Sequence, residues 1–529
     1  MLRIRLCQIS LLAVDPDSIK LADDSFERRL PGVLPRILPA EELADLYGKP
    51  DVGAPTCCPL QLTAMLLLQF RFDLSERELE ERCRRDLGFR YAMALDAGAE
   101  PPSLRSLRRF RTRLVEVKGD DFLFKLSLRF AHAEGLLDDA ALQAIDSTNT
   151  GCRGAVIDTF NLVSAGIRQV IRVVARSLGR PPEMLAREWD LSRYLGRGIK
   201  GVAQIDWADA KQRNALLTEE IEHAERIAAK VRELKARVTL PDEVDEALTL
   251  LRQVARQDVE KLEDGTFRIA KGTTPGRVIS VTDPEARHGR KSSSKVINGF
   301  KTHIIGTIKS QFVTGIAITD AGVHDAMPTV GLIEQTDRHG VKPREAVADG
   351  AYGTGANLRA CSELAVDLYT RQGRPSSHGA IPKRDFAIDL DAVTVTCPQG
   401  HVATNPTSVV DGNGSDGRVS QFSFSKEQCQ ACPLKETCCA ATAKGRNRTV
   451  RLSTHEVEHQ KNRAFGETER GRAVLRSRSA VERLISHLVR MGMRNARFFT
   501  MKKVQLQAYL VAAAYNLQRV MTLTSAAAR

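Results

Sequence analysis

The sequence predicts a mixed α/β protein built on a sheet that is divided along the chain. Two observations predict it. Short apolar runs of β type recur at residues 142–145, 296–308, 312–319, 345–349 and 366–370, at the length and composition of strands. Around them lie much longer stretches whose apolar residues repeat at helical spacing among Glu, Lys and Arg.

The first 130 residues read as mainly helical. Ser75-Glu-Arg-Glu78 is a capping-box pattern, with Leu74 and Leu79 at the staple positions, so a helix begins there. The apolar run 59–70 is the helix it packs against. After the Pro101-Pro102 break, Ser103 caps an amphipathic helix with Leu104, Leu107 and Leu114 as its apolar stripe. Arg105, Arg108, Arg109, Arg111 and Arg113 cover much of the rest. That many arginines suit phosphate contacts or a helix in the major groove, or equally a helix whose charges face water.

The first strand, 142–145, ends at Asp146, and the next strand begins only at 296. Between them Leu216, Leu217, Ile221, Ala224, Ile227, Ala228, Val231 and Leu234 recur at helical spacing, and 242–262 continues the pattern after Pro241. This predicts an antiparallel helical pair, a packing or dimerisation arm. Trp207, just before it, reads as an ordinary packing residue rather than a base-stacking one. Gly350 and Gly353 fit a strand-to-helix turn after Asp349, with a helix starting around Leu358 and Leu364.

Charge and cysteine usage narrow the partners. The 529 residues carry a formal charge of +13, with pI near 9.3. Such a balance favours a polyanion, because Lys and Arg gain affinity by releasing counterions from phosphates. Aromatic residues are only 5%, which argues against single-strand binding through stacked bases. Arg3 and Arg5 before the run 6–14 imitate a secretory leader, but Gln8 and Ser10 interrupt it. The run 62–70 is too short to span a bilayer. A cytoplasmic protein with reduced thiols is expected. Of eleven cysteines, five lie between Cys397 and Cys439. Cys397-Pro-Gln-Gly-His401 is followed by Cys429-x2-Cys432 and Cys438-Cys439, so Cys397, Cys429, Cys432 and either Cys438 or Cys439 are the natural ligands of a structural Zn²⁺. Free thiols in an irregular insertion are the competing reading.

Three acids carry the chemistry: Asp146 in Ala-Ile-Asp-Ser-Thr, Asp349 in Ala-Val-Ala-Asp-Gly-Ala-Tyr, and Glu482 in Arg-Ser-Arg-Ser-Ala-Val-Glu-Arg-Leu-Ile. Singly each has an ordinary role, as a turn residue or as half of an i,i+4 ion pair with Arg478. As an ordered set they suit a hard, six-coordinate cation. Their setting resembles the DDE transposases of bacterial insertion sequences, whose acidic triad they match. Around Glu482 that family has a Tyr-x2-Arg-x3-Glu-x6-Lys signature. Here Arg478 is in place, Leu475 stands in the Tyr position, and Val489 stands in the Lys position beside Arg490. Asp283-Pro-Glu-Ala-Arg-His-Gly-Arg-Lys, Gly299-Phe-Lys-Thr-His, Gly322-Val-His-Asp and Gly492-Met-Arg-Asn-Ala-Arg extend the likeness.

The resemblance implies an RNase H-like mixed sheet with helices on both faces. A helical insertion and a Cys-rich insertion interrupt it, and an all-α N-terminal domain precedes it. The expected boundaries are 1–135 for the DNA-binding domain, 136–150 with 280–375 and 455–525 for the catalytic domain, 151–279 for the helical insertion and 376–454 for the Cys-rich one. Asp146, Asp349 and Glu482 would hold two Mg²⁺ or Mn²⁺ ions. The reaction would be cleavage at the terminal inverted repeats and strand transfer into target DNA, by a homodimer acting on double-stranded DNA. Arg105, Arg108, Arg109, Arg478, Arg490 and Arg494 are the expected DNA contacts, with Lys301 and Arg497 beside them. His303 and His324 read as structural, and Gln505 and Asn516 as packing or DNA contacts. A transposase-derived DNA-binding protein that does not cleave, or a metal-dependent nuclease that does not join, is the alternative.

Overall fold

The computed structural model describes residues 14–47, 57–96, 98–196, 198–272, 274–290, 296–371, 381–410, 418–439 and 447–527. The leader-like run 3–13 lies outside the described residues. A six-stranded mixed sheet organises the chain: β1 (Leu142–Gly151), β2 (Arg287–Arg290), β3 (Val296–Thr307), β4 (Val313–Asp320), β5 (Glu345–Ala348) and β6 (Asp367–Thr370). β3 runs antiparallel to β1, and β2 and β4 share its other edge, β2 beside residues 296–299 and β4 beside 300–306. On the opposite side β1 pairs with β5 and β5 with β6, both parallel.

The first strand is longer than the sequence suggests. Asp-Ser-Thr-Asn-Thr reads as a turn, yet Ser147–Gly151 continue β1 because each pairs with β3, Ser147 opposite His303 and Gly151 opposite Gly299. Thr148 and Thr150 are buried. Thr150 Oγ1 hydrogen-bonds Thr302 Oγ1 at 2.7 Å and donates to the Met493 carbonyl at 2.9 Å. Pairing thus satisfies a polar run that local propensity alone would leave as loop.

Period-two burial assigns the faces of the sheet. Ile145, Ala346 and Ala348 pack with Leu332, Ile333, Leu358 and Cys361 of helices Thr329–Arg338 and Gly355–Glu363. Ala144 and Val347 point the other way, onto Val474 and Val481 of helices Glu469–Ser477 and Ser479–Leu488. Helices therefore cover both faces.

The N-terminal helices follow their sequence signals. Ser75 and Glu78 make a complete capping box at helix Glu76–Arg85, and Ser103 caps helix Leu104–Lys118, which buries Leu107, Phe110 and Leu114. One apolar core joins Phe26, Leu66, Phe70, Phe124 and Leu128 of this region to Phe300, Ile304 and Ile316 of the sheet and to the terminal helix Met501–Ala527. Each such buried Leu or Phe is worth roughly 1.5–3 kcal/mol.

The terminal helix also finishes the β4 edge. Gln505 Oε1 accepts from Ile318 N at 2.7 Å and its Nε2 donates to the Ile316 carbonyl at 3.0 Å. Asn516 accepts from Val313 N at 3.0 Å and donates to the same residue's carbonyl at 2.9 Å. Side-chain amides thus stand in for a neighbouring strand, which answers the open choice at these positions with packing.

Residues between β1 and β2 form a helical unit with its own core. The expected pair is present as Ala210–Lys235 and Asp242–Arg256, the second stopping short of 262 because Val259–Lys261 instead form a strand paired with Phe267–Ile269. A third helix, Thr159–Ser177, joins the pair, its Leu162, Ile167, Val170 and Val174 fully buried between them. Trp207 packs edge-on against Phe160, centroids 5.3 Å apart, as an ordinary packing residue. Between β6 and the later helices lie two small three-stranded sheets around Phe386, Val395, Phe422, Phe424 and Val450. Among the described residues no helix is long and apolar enough to cross a membrane.

Candidate active site

Register brings the first two acids together. Ile145 pairs with Ala348 in the parallel β1–β5 ladder, so Asp146 and Asp349 follow side by side on chains roughly 4.8 Å apart. Being two residues beyond Ala144 and Val347, they fall on the face covered by helix Ser479–Leu488. Glu482 lies in the first turn of that helix, where the amide end of the helix favours a carboxylate. β5 stops at Ala348. That leaves Asp349 exposed, its Oδ1 accepting from Gly350 N at 2.7 Å.

Arg478 ties the third acid to the first. Its Nη1 donates to Asp146 Oδ2 and its Nη2 to Glu482 Oε1, both at 2.8 Å. Asp146 Oδ1 accepts from Ser147 N at 2.8 Å. Burial pushes the Asp146 carboxyl above the ordinary carboxylate range; the Ser147 amide and Arg478 pull it back, while Asp349 and Glu482 push the same way as burial. Both of the other acids therefore act on Asp146 electrostatically. With Arg478 bridging two of the three acids, they do not form a closed ligand set: among the described residues no group of three or more His, Cys, Asp or Glu side chains is placed to hold a metal ion.

Behind the acids lies a polar network whose connections the sequence did not show. Asp325, the last residue of Gly322-Val-His-Asp, accepts from Ser147 Oγ at 3.2 Å and from Lys301 Nζ at 2.7 Å. Lys301 also donates to the Val323 carbonyl at 2.7 Å. His303, fully buried, bonds Tyr352 through Nδ1 and Thr319 through Nε2, each at 3.0 Å. It is a satisfied structural histidine, and burial lowers its pKa to about 4. His324 accepts from Ala326 N at 3.2 Å through Nδ1. The motifs around Lys301 and Asp325 held its members; their joining depends on chain brought from far away.

The expected DNA contacts divide into engaged and exposed side chains. Arg108 pairs with Glu76, Nε to Oε2 at 2.9 Å, Lys301 with Asp325, and Arg497 with Asp73 and the Leu74 carbonyl. Arg105, Arg109, Arg490 and Arg494 are exposed. Gly492, at φ +88°, turns the chain back so that Arg494 O accepts from Gly151 N at 2.8 Å, fixing this basic segment to the far end of β1. Leu475 packs beside Ala144 and Val347.

In the cysteine module Cys397, Cys429, Cys432 and Cys438 line one cavity together with His401 and Arg448. Leu434 N donates to Cys432 Sγ at 3.4 Å and Arg448 N to Cys429 Sγ at 3.5 Å. Burial pushes the Cys438 thiol up to about 11, with Cys439, Cys429 and Cys432 adding to the rise.

Two family models match the chain. One, described as Transposase DDE domain, covers residues 396–521 and takes in the cysteine module, Arg478 and Glu482; the other, described as Transposase domain (DUF772), covers residues 17–113. Asp146 and Asp349 lie between them. No curated protein matches the chain. The two matches support a DDE transposase of an insertion-type element.

Proposed function

We propose that the protein cleaves DNA at the ends of its element and joins the freed ends to target DNA. The observation that carries this is the register that sets Asp146 beside Asp349 on the sheet face under Glu482. Under this reading the sheet and its covering helices, residues 136–150, 280–375 and 455–525, are an RNase H-like catalytic domain. The N-terminal helices bind the element ends, and residues 151–279 serve packing or dimerisation.

The donor set fits a hard divalent cation, Mg²⁺ or Mn²⁺, since all three side chains offer carboxylate oxygen. Asp146, Asp349 and Glu482 would hold two such ions, which when bound stabilise charge on the attacking and leaving oxygens of an in-line displacement. Arg478 then leaves Asp146 and takes a DNA phosphate. The exposed Arg105, Arg109, Arg490 and Arg494 bind further phosphates. Water attacks phosphorus at the element end and the P–O3′ bond breaks, freeing a 3′-hydroxyl; that hydroxyl attacks a target phosphorus and displaces the target's 3′-oxygen, with no covalent link to protein. A homodimer supplies one site per end.

The cysteine module offers a second donor set, which is not placed to hold a metal as it stands and would have to close around its ion. Four thiols line one cavity, and amides already point at two of the sulfurs, as they do around thiolates that ligate Zn²⁺. Cys397, Cys429, Cys432 and Cys438 would hold a structural Zn²⁺. Purified protein should carry about one zinc per chain by elemental analysis, and Cys429→Ala should remove it; zinc-free protein with an intact module would contradict this.

Incubation with duplexes carrying the terminal repeats that flank the gene, in Mg²⁺ or Mn²⁺, tests the main reading. Joined products that vanish with Asp349→Ala support it. Cutting alone assigns a nuclease, and binding alone a DNA-binding descendant.

A further inference from the structure

Ser147 follows Asp146 and Tyr352 closes the turn that follows Asp349, so whatever links these two also sets the spacing of the two acids. Ser147 Oγ donates to Asp325 at 3.2 Å. Lys301 holds the other Asp325 oxygen at 2.7 Å and is itself fixed to the Val323 carbonyl. Tyr352 is fully buried; its hydroxyl bonds His303 Nδ1 at 3.0 Å, and His303 is pinned to Thr319 on β4. The turn cannot drift, because Asn357 Nδ2 donates to the Tyr352 carbonyl at 2.9 Å and to the Ala326 carbonyl at 2.8 Å. Ala326 is the neighbour of Asp325, so the loop carrying Asp325 is tied to both acid-bearing segments.

We propose that Asp325 and Ser147, anchored by Lys301, are positioning residues that hold Asp146 and Asp349 at the separation their shared cation requires. The inference rests on the reading of these acids as metal ligands. Asp325 does not touch the cation or DNA; it acts through Ser147 and through the loop that Asn357 clamps. The Lys301–Asp325 pair, whose side chains are 14% and 25% exposed, is turned onto a serine hydroxyl beside Asp146. Partners of metal-binding side chains set their orientation, and losing one typically weakens binding tenfold to a hundredfold.

The test measures Mn²⁺ bound to the full-length protein by the loss of the free-ion electron paramagnetic resonance signal, with melting temperature recorded for every variant. Wild type should bind and Asp349→Ala should not. Ser147→Ala and Asp325→Asn should bind roughly tenfold more weakly, Ser147→Thr should restore affinity, and melting temperatures should stay within a few degrees of wild type. Wild-type affinity in Ser147→Ala and Asp325→Asn, with Asp349→Ala defective, overturns the positioning role and leaves the site reading standing. Undiminished binding in Asp349→Ala overturns both. Weakened binding in Ser147→Ala that Ser147→Thr fails to rescue also overturns the positioning role.

Discussion

Two regions of the molecule bury a carboxyl group, on opposite terms. At the sheet, Asp146 keeps 20% of its side chain exposed and meets a guanidinium and a backbone amide. In the helical insertion, Glu220 is fully buried and neither of its oxygens has a partner among the described residues. Burial raises both pKa values, Glu220 to about 9 even though the Arg193 charge opposes the shift. The first acid is compensated and can be called on to hold charge. The second is kept neutral by the apolar core around Leu217 and Ile221. Burial alone therefore does not mark a chemical site; the partners supplied with it do.

The largest expected effect breaks the sheet side of this contrast. Asp146→Asn should lower DNA joining by about 10³-fold or more, some 4 kcal/mol of transition-state stabilisation, with little loss of melting temperature. Near-normal joining would mean that the compensated acid does no chemistry.

Next in size is Glu220. A folded-state pKa raised above the unfolded value gives stability that is complete below pH 4.5, is lost as pH rises, and is gone near pH 9. At pH 7 the loss is about 3 kcal/mol. Glu220→Gln should recover most of it, so variant and wild type should unfold alike at pH 4.5 and diverge by pH 8 in denaturant titrations. Equal stability at both pH values would show that Glu220 is paired in solution.

The smallest effect sharpens the role of the bridge. Replacing Arg478 by Ala removes two partly exposed ion pairs, together worth roughly 1 kcal/mol. It should tighten Mn²⁺ binding about fivefold while still slowing joining. Weaker Mn²⁺ binding would make Arg478 a support for the acids rather than a counter-ion that yields.

What the sequence revealed followed the range of the interactions involved. The capping box at Ser75, the cap at Ser103 and the helices Ala210–Lys235 and Asp242–Arg256 are set by neighbours within a few residues, and they were legible. The three acids were legible because each sits in a short recognisable motif. Ser147–Gly151 were not, since only pairing with a strand far along the chain makes that polar run extended. Helix Thr159–Ser177 carried a readable signal in Leu162, Ile167, Val170 and Val174, which was overlooked beside the longer charged helices. Asp325 lies in a loop, and its meaning comes from Ser147 and Lys301, neither of which is near it in sequence.

The most direct measurement is an anomalous difference map from crystals of the full-length protein grown with Mn²⁺ and a short element-end duplex. Two peaks about 4 Å apart, touching the carboxylates of Asp146, Asp349 and Glu482, with Arg478 moved off Asp146 onto a phosphate, are predicted. No peak between these side chains at saturating Mn²⁺, with Arg478 still bridging Asp146 and Glu482, would contradict the account.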